Sequence, residues 1–353
     1  MINVLVLFGG QSEEHEVSLK SAYNVLGKID ENKYSITRVG ITKQGQWFLY
    51  EGDDESIKNG NWINGKITPA FLSPDASMGL VIMGEKTEIK KVDVVFPVLH
   101  GTCGEDGTIQ GLCSLAKVPC VGPDMISSAL CMDKTATKIM LKDLQIPQAD
   151  WLTVIDYEFK DSDEVIARIE NKFEYPVFIK PANAGSSVGI GKSHNREELK
   201  EHLLNAFKFD SKVLVEEYIE GREVECAVLG NDDPFASVLG EIVPDKEFYD
   251  YEAKYQSDSK LTIPAPISET KSNQIREFAK KAFTKIGLKG MSRIDFFVHK
   301  MTGEIYLNEI NTIPGFTDKS MYPMLMASSG VDGIALVDKL IELAIEEFSG
   351  EVL

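Results

Sequence analysis

Gly303-Glu304-Ile305-Tyr306-Leu307-Asn308-Glu309-Ile310-Asn311-Thr312, reached shortly after Arg293-Ile294-Asp295, is the stretch whose reading decides the fold. Both segments alternate apolar and polar residues and read as strands. Glu309 and Asn311 are two apart and share a face, where Asp295 can converge on them from the other strand. Two carboxylates and an amide oxygen are hard donors suited to Mg²⁺, which keeps waters and substrate phosphates as its other ligands. A magnesium site on a sheet points to nucleotide phosphate chemistry. For an acidic chain, a solvated acidic face is the ordinary reading of such residues. The continuation Thr312-Ile313-Pro314-Gly315-Phe316-Thr317 argues otherwise, because a Pro-Gly turn follows directly on the carboxylates.

The 353 residues, 43% hydrophobic, suffice for two or three domains with a real core. A formal charge of -18 repels polyanions, so no nucleic-acid or anionic-membrane partner is expected. No apolar run approaches bilayer length, and Met1 to Gly10 lacks a basic start and a cleavage site. The expectation is a soluble, cytoplasmic protein. Cys103, Cys113, Cys120, Cys131 and Cys226 form no C-x-x-C pair, and structural thiols are the expected reading. Cys103 differs from the rest by sitting in a Gly-rich loop. The scattered histidines give no zinc spacing.

Asn3 to Phe8 is an apolar run ending in Gly9-Gly10, and Ser18 is predicted to cap a helix running to about Lys28. Val92 to Leu99 is a second apolar strand, ending in His100-Gly101-Thr102-Cys103-Gly104-Glu105-Asp106-Gly107. Apolar strands followed by polar glycine loops are the mark of a buried parallel sheet with its site at the strand carboxyl ends. The first α/β domain therefore spans 1–122. Ile126 to Leu144 reads as one helix; Pro176 to Lys180 and Val213 to Tyr218 read as strands flanking a helix over Asn195 to Phe207. From Glu223 the pattern turns strand-rich, with helices over Ser272 to Ile286 and Gly333 to Phe348. Pro244 to Pro266 is polar, aromatic and aperiodic, as functional lid loops are. The resulting division is 1–122, 123–215 and 216–353.

Gly185-Ser186-Ser187-Val188-Gly189-Ile190-Gly191-Lys192-Ser193 imitates a P-loop, but five residues separate Gly185 from Gly191 where that motif requires four. A phosphate cradle depends on amides at fixed positions, so the extra residue counts against it. A glycine-rich flap over a nucleotide fits better. Lys180 just before it and Lys134 upstream are then candidate phosphate ligands.

With these motifs in place, the chain resembles the D-alanine–D-alanine ligases of the ATP-grasp superfamily. The resemblance is carried by Phe8-Gly9-Gly10 with Glu14-His15-Glu16-Val17-Ser18, by His100-Gly101 with Gly104-Glu105-Asp106-Gly107, and by Met132-Asp133-Lys134. It continues through Lys180-Pro181 with Gly185-Ser186-Ser187-Val188-Gly189, through Phe248-Tyr249-Asp250-Tyr251-Glu252-Ala253-Lys254-Tyr255, and through Asn308-Glu309-Ile310-Asn311-Thr312-Ile313-Pro314-Gly315. Six motifs in order along nearly the whole chain are specific. The resemblance implies an α/β and α+β, three-domain ATP-grasp fold whose second and third domains clasp ATP. It also implies formation of D-alanyl-D-alanine for peptidoglycan, with ATP and two Mg²⁺ ions (Mn²⁺ as a substitute), by a homodimer.

The same resemblance assigns residues. Asp295, Glu309 and Asn311 hold the metal; Lys134, Lys180 and Lys254 meet the phosphates, beside Ser187 of the flap. Glu216, Glu217 and Ile219 line the adenine hinge, and Glu223 meets the ribose. Arg293 and the amide of Gly315 form an oxyanion hole, where glycine lets the backbone approach substrate. Glu14 anchors the first D-alanine's ammonium group and joins Ser186 and Tyr255 in a trio linking domain, flap and lid. His100 and Glu105 line the first-substrate side; Ser320 and the amide of Met321 receive the second carboxylate. The segment 244–266 becomes a lid that excludes water from a hydrolysable acylphosphate, and it is expected to be mobile without ligands.

Relatives that join D-alanine to D-serine or D-lactate are the nearest rivals. D-lactate ligases depart from the lid motif that this chain keeps as Glu252-Ala253-Lys254-Tyr255. Many variant ligases carry arginine where this chain has Met321, and D-serine ligases tend to phenylalanine at Tyr249 and Tyr251. Gly40-Ile41-Thr42 and Trp47 nonetheless resemble the D-serine group. Another ATP-grasp carboxylate–amine ligase would lack the set Glu14, His100 and Tyr255. A P-loop kinase would depend on Lys192, and a non-catalytic nucleotide-binding module would not keep the metal and oxyanion positions.

Overall fold

The structure is a computed structural model and describes residues 1–160, 162–185, 188–243 and 260–350. Strand β1, Ile2–Gly9, has Val4 through Phe8 wholly buried, as befits a strand covered on both faces. It lies parallel to Tyr34–Ile41 (β2) on one side. Antiparallel strands continue outward from β2: Trp47–Tyr50 (β3), Ile67–Leu72 (β4), Leu80–Met83 (β5) and Thr87–Lys90 (β6). Val94–Val98 (β7) returns to lie parallel to β1 on its other side, giving the order β6-β5-β4-β3-β2-β1-β7. The sheet is thus parallel over β2, β1 and β7 at one end, as expected, and antiparallel from β2 outward through β6 at the other. The short connections after β2, β4 and β5 permit hairpins, the longer one from β3 to β4 carries the short helix Asp54–Lys58, and a parallel return needs a crossover.

Two local predictions change. Ser18 is not a cap: the helix His15–Leu26 begins three residues earlier, and Ser18 lies buried inside it. Its hydroxyl accepts from the Gly9 amide at 2.8 Å and donates to the Val98 carbonyl, tying the ends of β1 and β7 together. The predicted helix over Ile126 to Leu144 is two helices, Met125–Met132 and Lys134–Asp143. Asp133 divides them. Its extended backbone ends the first, and its carboxylate caps the second by accepting from the amides of Thr135 and Ala136.

A second, wholly antiparallel sheet follows, formed by Trp151–Ile155 (β8), Val177–Pro181 (β9), Gly191–Ser193 (β10) and Lys212–Glu217 (β11) in the order β10-β9-β11-β8. Helices Ser162–Glu170 and Arg196–Ala206 cover it with Ile166, Leu199 and Leu203. The third sheet is also antiparallel: Gly221–Gly230 (β12), Phe235–Val243 (β13), Lys260–Thr262 (β14), Gly290–His299 (β15) and Ile305–Asn311 (β16), ordered β14-β13-β12-β15-β16. Residues 260–262, expected within a lid loop, are therefore the edge strand β14; the expected mobility of 244–259 lies outside the described residues.

The helix Glu269–Ile286 buries Ile275, Ala279 and Phe283 against one face of this third sheet. The C-terminal helix Gly333–Gly350 places Leu336, Val337, Leu340 and Ile341 in a core shared with Val94 and Val98 of the first sheet and Met291 of the third. Each such side chain contributes about 1.5–3 kcal/mol on burial, so this helix welds the first and third sheets together. Among the described residues no helix is long and apolar enough to cross a membrane.

Candidate active site

The second and third sheets face each other across a gap that Lys180 bridges. From β9 its Nζ reaches Asn308 Oδ1 of β16 at 3.2 Å and Glu216 Oε2 of β11 at 2.6 Å. A register shift between Asp295 and Phe296 leaves Asn308 as an extra residue on β16, which re-aims it toward Lys180. Glu216 is gripped from the other side by Lys138, whose Nζ lies 2.6 Å from Oε1. Burial pushes the Glu216 carboxyl up, but the two lysines outweigh it and hold it down at about 2. Burial opposes the charge of Lys180 as well, and Glu216, Glu309 and Glu223 together raise its pKa. Lys134 opens the helix Lys134–Asp143 and donates from Nζ to the Ala184 carbonyl at 2.7 Å, at the foot of the glycine flap. This is a cationic slot with carboxylates at its floor, suited to a polyphosphate.

Along β15 and β16, Asp295 stands directly opposite Glu309, and Arg293 opposite Asn311. Asn311 Nδ2 donates to Asp295 Oδ2 at 3.0 Å. Arg293 grips the same carboxylate with two bonds of 2.8 Å, from Nε to Oδ1 and from Nη2 to Oδ2. Glu225 of β12 adds a second buried carboxylate, its Oε2 at 3.0 Å from Arg293 Nε. The single Nε hydrogen is already directed at Asp295, so this second contact is coulombic. Burial disfavours the guanidinium charge, yet Asp295 and Glu225 raise its pKa well above the ordinary value. Among the described residues no three His, Cys, Asp or Glu side chains form a closed metal cage. Two carboxylates and an amide fit the alternative, an ion that takes its other ligands from water and phosphate.

The loop after β16 brings Gly315 beside the helix Met321–Ser328. A Cβ on Gly315 would stand 2.8 Å from Ser320 Oγ, which is pinned by the Thr317 amide at 2.9 Å and the Thr317 hydroxyl at 2.8 Å. Ser320 makes no side-chain cap to its helix, so the first-turn amides, that of Met321 included, keep their affinity for an anionic group. The Met321 side chain itself is buried against Gly240. His100 closes the loop from the first sheet: its ring nitrogens lie 3.1 Å from the Ile313 carbonyl and 3.0 Å from Ser21 Oγ. Burial lowers the basicity of His100, but Glu105, with Oε1 at 3.6 Å from Nδ1, and Glu14 bring the net pKa above the ordinary histidine value.

Glu14 is 9% exposed, at the start of helix His15–Leu26. Its Oε2 lies 2.9 Å from where a Cβ on Gly101 would be and 3.3 Å from the same point on Gly185. It therefore sits between the His100-Gly101 turn and the flap. The Gly9-Gly10 turn ahead of Glu14 is fixed by the close approach at Gly9, where φ is +89° and a Cβ would stand 2.2 Å from the Ile41 carbonyl oxygen.

The comparisons with known proteins agree along the whole length. Residues 3–123 match the family model for the D-ala D-ala ligase N-terminus, and residues 140–342 match that for the D-ala D-ala ligase C-terminus. The D-alanine–D-alanine ligase of Clostridium acetobutylicum is 54% identical over 343 residues, covering 97% of both chains. That of Acetivibrio thermocellus is 50% identical, over 98% of this chain and 96% of its own. The chain belongs to the D-alanine–D-alanine ligase family.

Solved structures of D-alanine ligases share the fold of this ligase. The VanG D-Ala:D-Ser ligase from Enterococcus faecalis has a TM-score of 0.90 at 41% identity, covering 97% of this chain and 99% of that one. The D-alanine–D-alanine ligase from Coxiella burnetii has a TM-score of 0.87 at 36% identity, covering 99% and 95%. The ATP-grasp architecture and the assignment as an ATP-dependent ligase follow from these relationships.

Not every expected site residue of the ligase converges. Ser186, Ser187, Lys254 and Tyr255 lie outside the described residues, as do Tyr249 and Tyr251. Glu217 turns its carboxylate to the Asp150 amide at 2.7 Å, and its own amide donates to the Asp150 carbonyl at 3.1 Å. Ile219 is half-buried between β11 and β12, and Glu223 lies on β12 within the field of Lys180. Burial and Asp106 both push the Cys103 thiol pKa up. Lys192 lies on β10, a strand where a P-loop needs a helix start, with Nζ over the Tyr218 ring at 4.3 Å.

Three residues went unassigned in the sequence analysis. Lys138 follows Lys134 by one helical turn, and Glu225 shares a strand face with Glu223. Ser21 completes an i, i+4, i+7 polar row with Glu14 and Ser18. Those spacings were available signals.

Proposed function

We propose that this ligase joins two D-alanine molecules into D-alanyl-D-alanine, converting ATP to ADP and phosphate, for peptidoglycan synthesis. The observation that carries this reading is the uncapped start of helix Met321–Ser328 beside Gly315. It supplies a carboxylate seat next to a donor pair at the reacting carbon.

A carboxylate is a poor electrophile, so the first D-alanine, its ammonium group held by Glu14, attacks the γ-phosphorus of ATP and becomes an acylphosphate. Lys134, Lys180 and Lys254 neutralise the phosphate oxygens, beside Ser187 of the flap, while Glu216, Glu217, Ile219 and Glu223 seat the nucleoside. The resulting network restrains Lys180: its pairing with Glu216 aims the ammonium across the gap. Asp295, Glu309 and Asn311 would hold Mg²⁺, which when bound supplies charge neutralisation to the transferring phosphoryl group. The second D-alanine, its carboxylate on Ser320 and the Met321 amide, attacks the acyl carbon with its amine. A proton leaves the nitrogen and the tetrahedral oxyanion builds toward Arg293 and the Gly315 amide before phosphate departs. His100 and Glu105 border the first substrate, and Ser186 and Tyr255 complete the trio with Glu14. Domains 1–122, 123–215 and 216–353, a homodimeric state and a cytoplasmic location belong to the same reading.

The test is phosphate release from ATP and Mg²⁺ with D-alanine alone, then with D-serine or D-lactate added, with products identified by mass spectrometry. Predominant D-alanyl-D-alanine is expected. A mixed dipeptide or depsipeptide as main product would overturn the choice of second substrate.

A further inference from the structure

We infer that Ser21 is a positioning residue of this reaction: it locks the loop carrying the Gly315 amide to His100. Ser21 is fully buried on helix His15–Leu26. Its Oγ accepts the Phe316 amide at 3.1 Å and lies 3.0 Å from His100 Nε2. His100 Nδ1 lies 3.1 Å from the Ile313 carbonyl, which can only accept, so Nδ1 carries a hydrogen. Nε2 pairs with Ser21 Oγ in either charge state, accepting from the hydroxyl in the neutral ring and donating to its oxygen in the charged one. The result is a continuous chain: Phe316 N–H to Ser21 Oγ, Ser21 Oγ to His100 Nε2, and His100 Nδ1–H to Ile313 C=O. It begins and ends on the same loop, with Pro314 and Gly315 between its two attachment points.

One turn further along the helix, Asn24 Nδ2 donates to the Phe316 carbonyl at 2.9 Å. Phe316 thus has both backbone groups held by one helix face, and that helix follows directly from Glu14. The anchor for the substrate ammonium group and the backbone beside the reacting carbon are consequently set on a single rigid element. A Ser21→Ala change leaves the Phe316 amide without its acceptor and Nε2 without its partner, both in a buried setting. A loop displaced by even about 1 Å can cost on the order of 10²-fold in rate.

This inference rests on the assignment of Gly315 to the oxyanion hole, and the experiment separates the two. In the wild-type enzyme, long-range ¹⁵N–¹H NMR of His100 should show a hydrogen on Nδ1; an Nδ1 without hydrogen would overturn the chain. In Ser21→Ala, amide exchange at Phe316 should accelerate at least tenfold. The value of kcat should fall between about tenfold and a hundredfold with KM for ATP unchanged, and affinity for a phosphinate mimic of the tetrahedral intermediate should fall in parallel. Ser21→Cys, which keeps the shape and a weak donor, should recover part of the loss. Unchanged exchange at Phe316 in Ser21→Ala would overturn the clamp. Faster exchange with unchanged kcat and analogue affinity would overturn instead the placing of Gly315 in the oxyanion hole.

Discussion

Lys138 Nζ lies 2.6 Å from Glu216 Oε1, with the two side chains only 4% and 5% exposed. The remaining Glu216 oxygen is held by Lys180 at the same distance, so one buried carboxylate fixes a buried lysine and a partly exposed one. Lys138 also donates to the Ala149 carbonyl at 3.0 Å, and its ammonium stands 5.4 Å from the Trp151 ring centroid. It is satisfied on the side away from the cleft, which leaves Lys180 to face the gap between the sheets.

Lys138→Met should therefore act at a distance on the nucleotide. Removing one partner of a buried ion pair costs about 3 kcal/mol, the low end of the usual range because Lys180 still pairs with Glu216. The drop should appear in chemical denaturation, and KM for ATP should rise several-fold as Lys180 is drawn inward.

The same triad sets an acid limit. With the Glu216 pKa held at about 2 against an ordinary 4.5, its contribution to stability is complete above pH 4.5 and is lost as pH falls toward 2. The contribution is on the order of 3 kcal/mol. Urea denaturation across that interval should show a steeper loss for wild type than for Glu216→Gln; parallel curves would refute the coupling.

Gly315→Ala tests the oxyanion site. The new methyl group would press on Ser320 Oγ, which Thr317 holds in place from two directions. The expected result is a fall in kcat of about 10²-fold with little change in KM for ATP, measured by steady-state phosphate release.

Lys192→Ala tests the rejected P-loop. Its ammonium lies over the Tyr218 ring on strand β10, so about 0.5–1 kcal/mol of cation–π stabilisation is at stake. Ligase activity should change less than about twofold; a P-loop lysine would abolish it.

Much of this was legible from local pattern. Asp295, Glu309 and Asn311 were placed together by the period-2 rule, and the register of β15 with β16 puts Asp295 opposite Glu309. The flap lysines, the Gly315 turn and most element positions followed from glycine, proline and apolar spacing. Where the reading erred, a side chain had a distant partner. Ser18 looked like a cap because serine often is one, but its hydroxyl is used 80 residues away on the Val98 carbonyl. Asp133 broke a helix that periodicity alone would have continued.

By itself the sequence determined which groups the chain carries: hard-oxygen donors, lysines beside a glycine-rich segment, a carboxylate before the first helix, and glycines where backbone must come close. These depend on residue type and on spacing within one element, both of which are local. Tertiary structure decided which groups act together. Ser21 meets the Phe316 amide across 295 residues, and Lys180 meets Asn308 across 128. Those meetings are set by the order of strands, by one extra residue in β16, and by the C-terminal helix that binds the first sheet to the third. Apolar burial drives that packing without direction, so no local period in the chain encodes which polar groups it brings face to face.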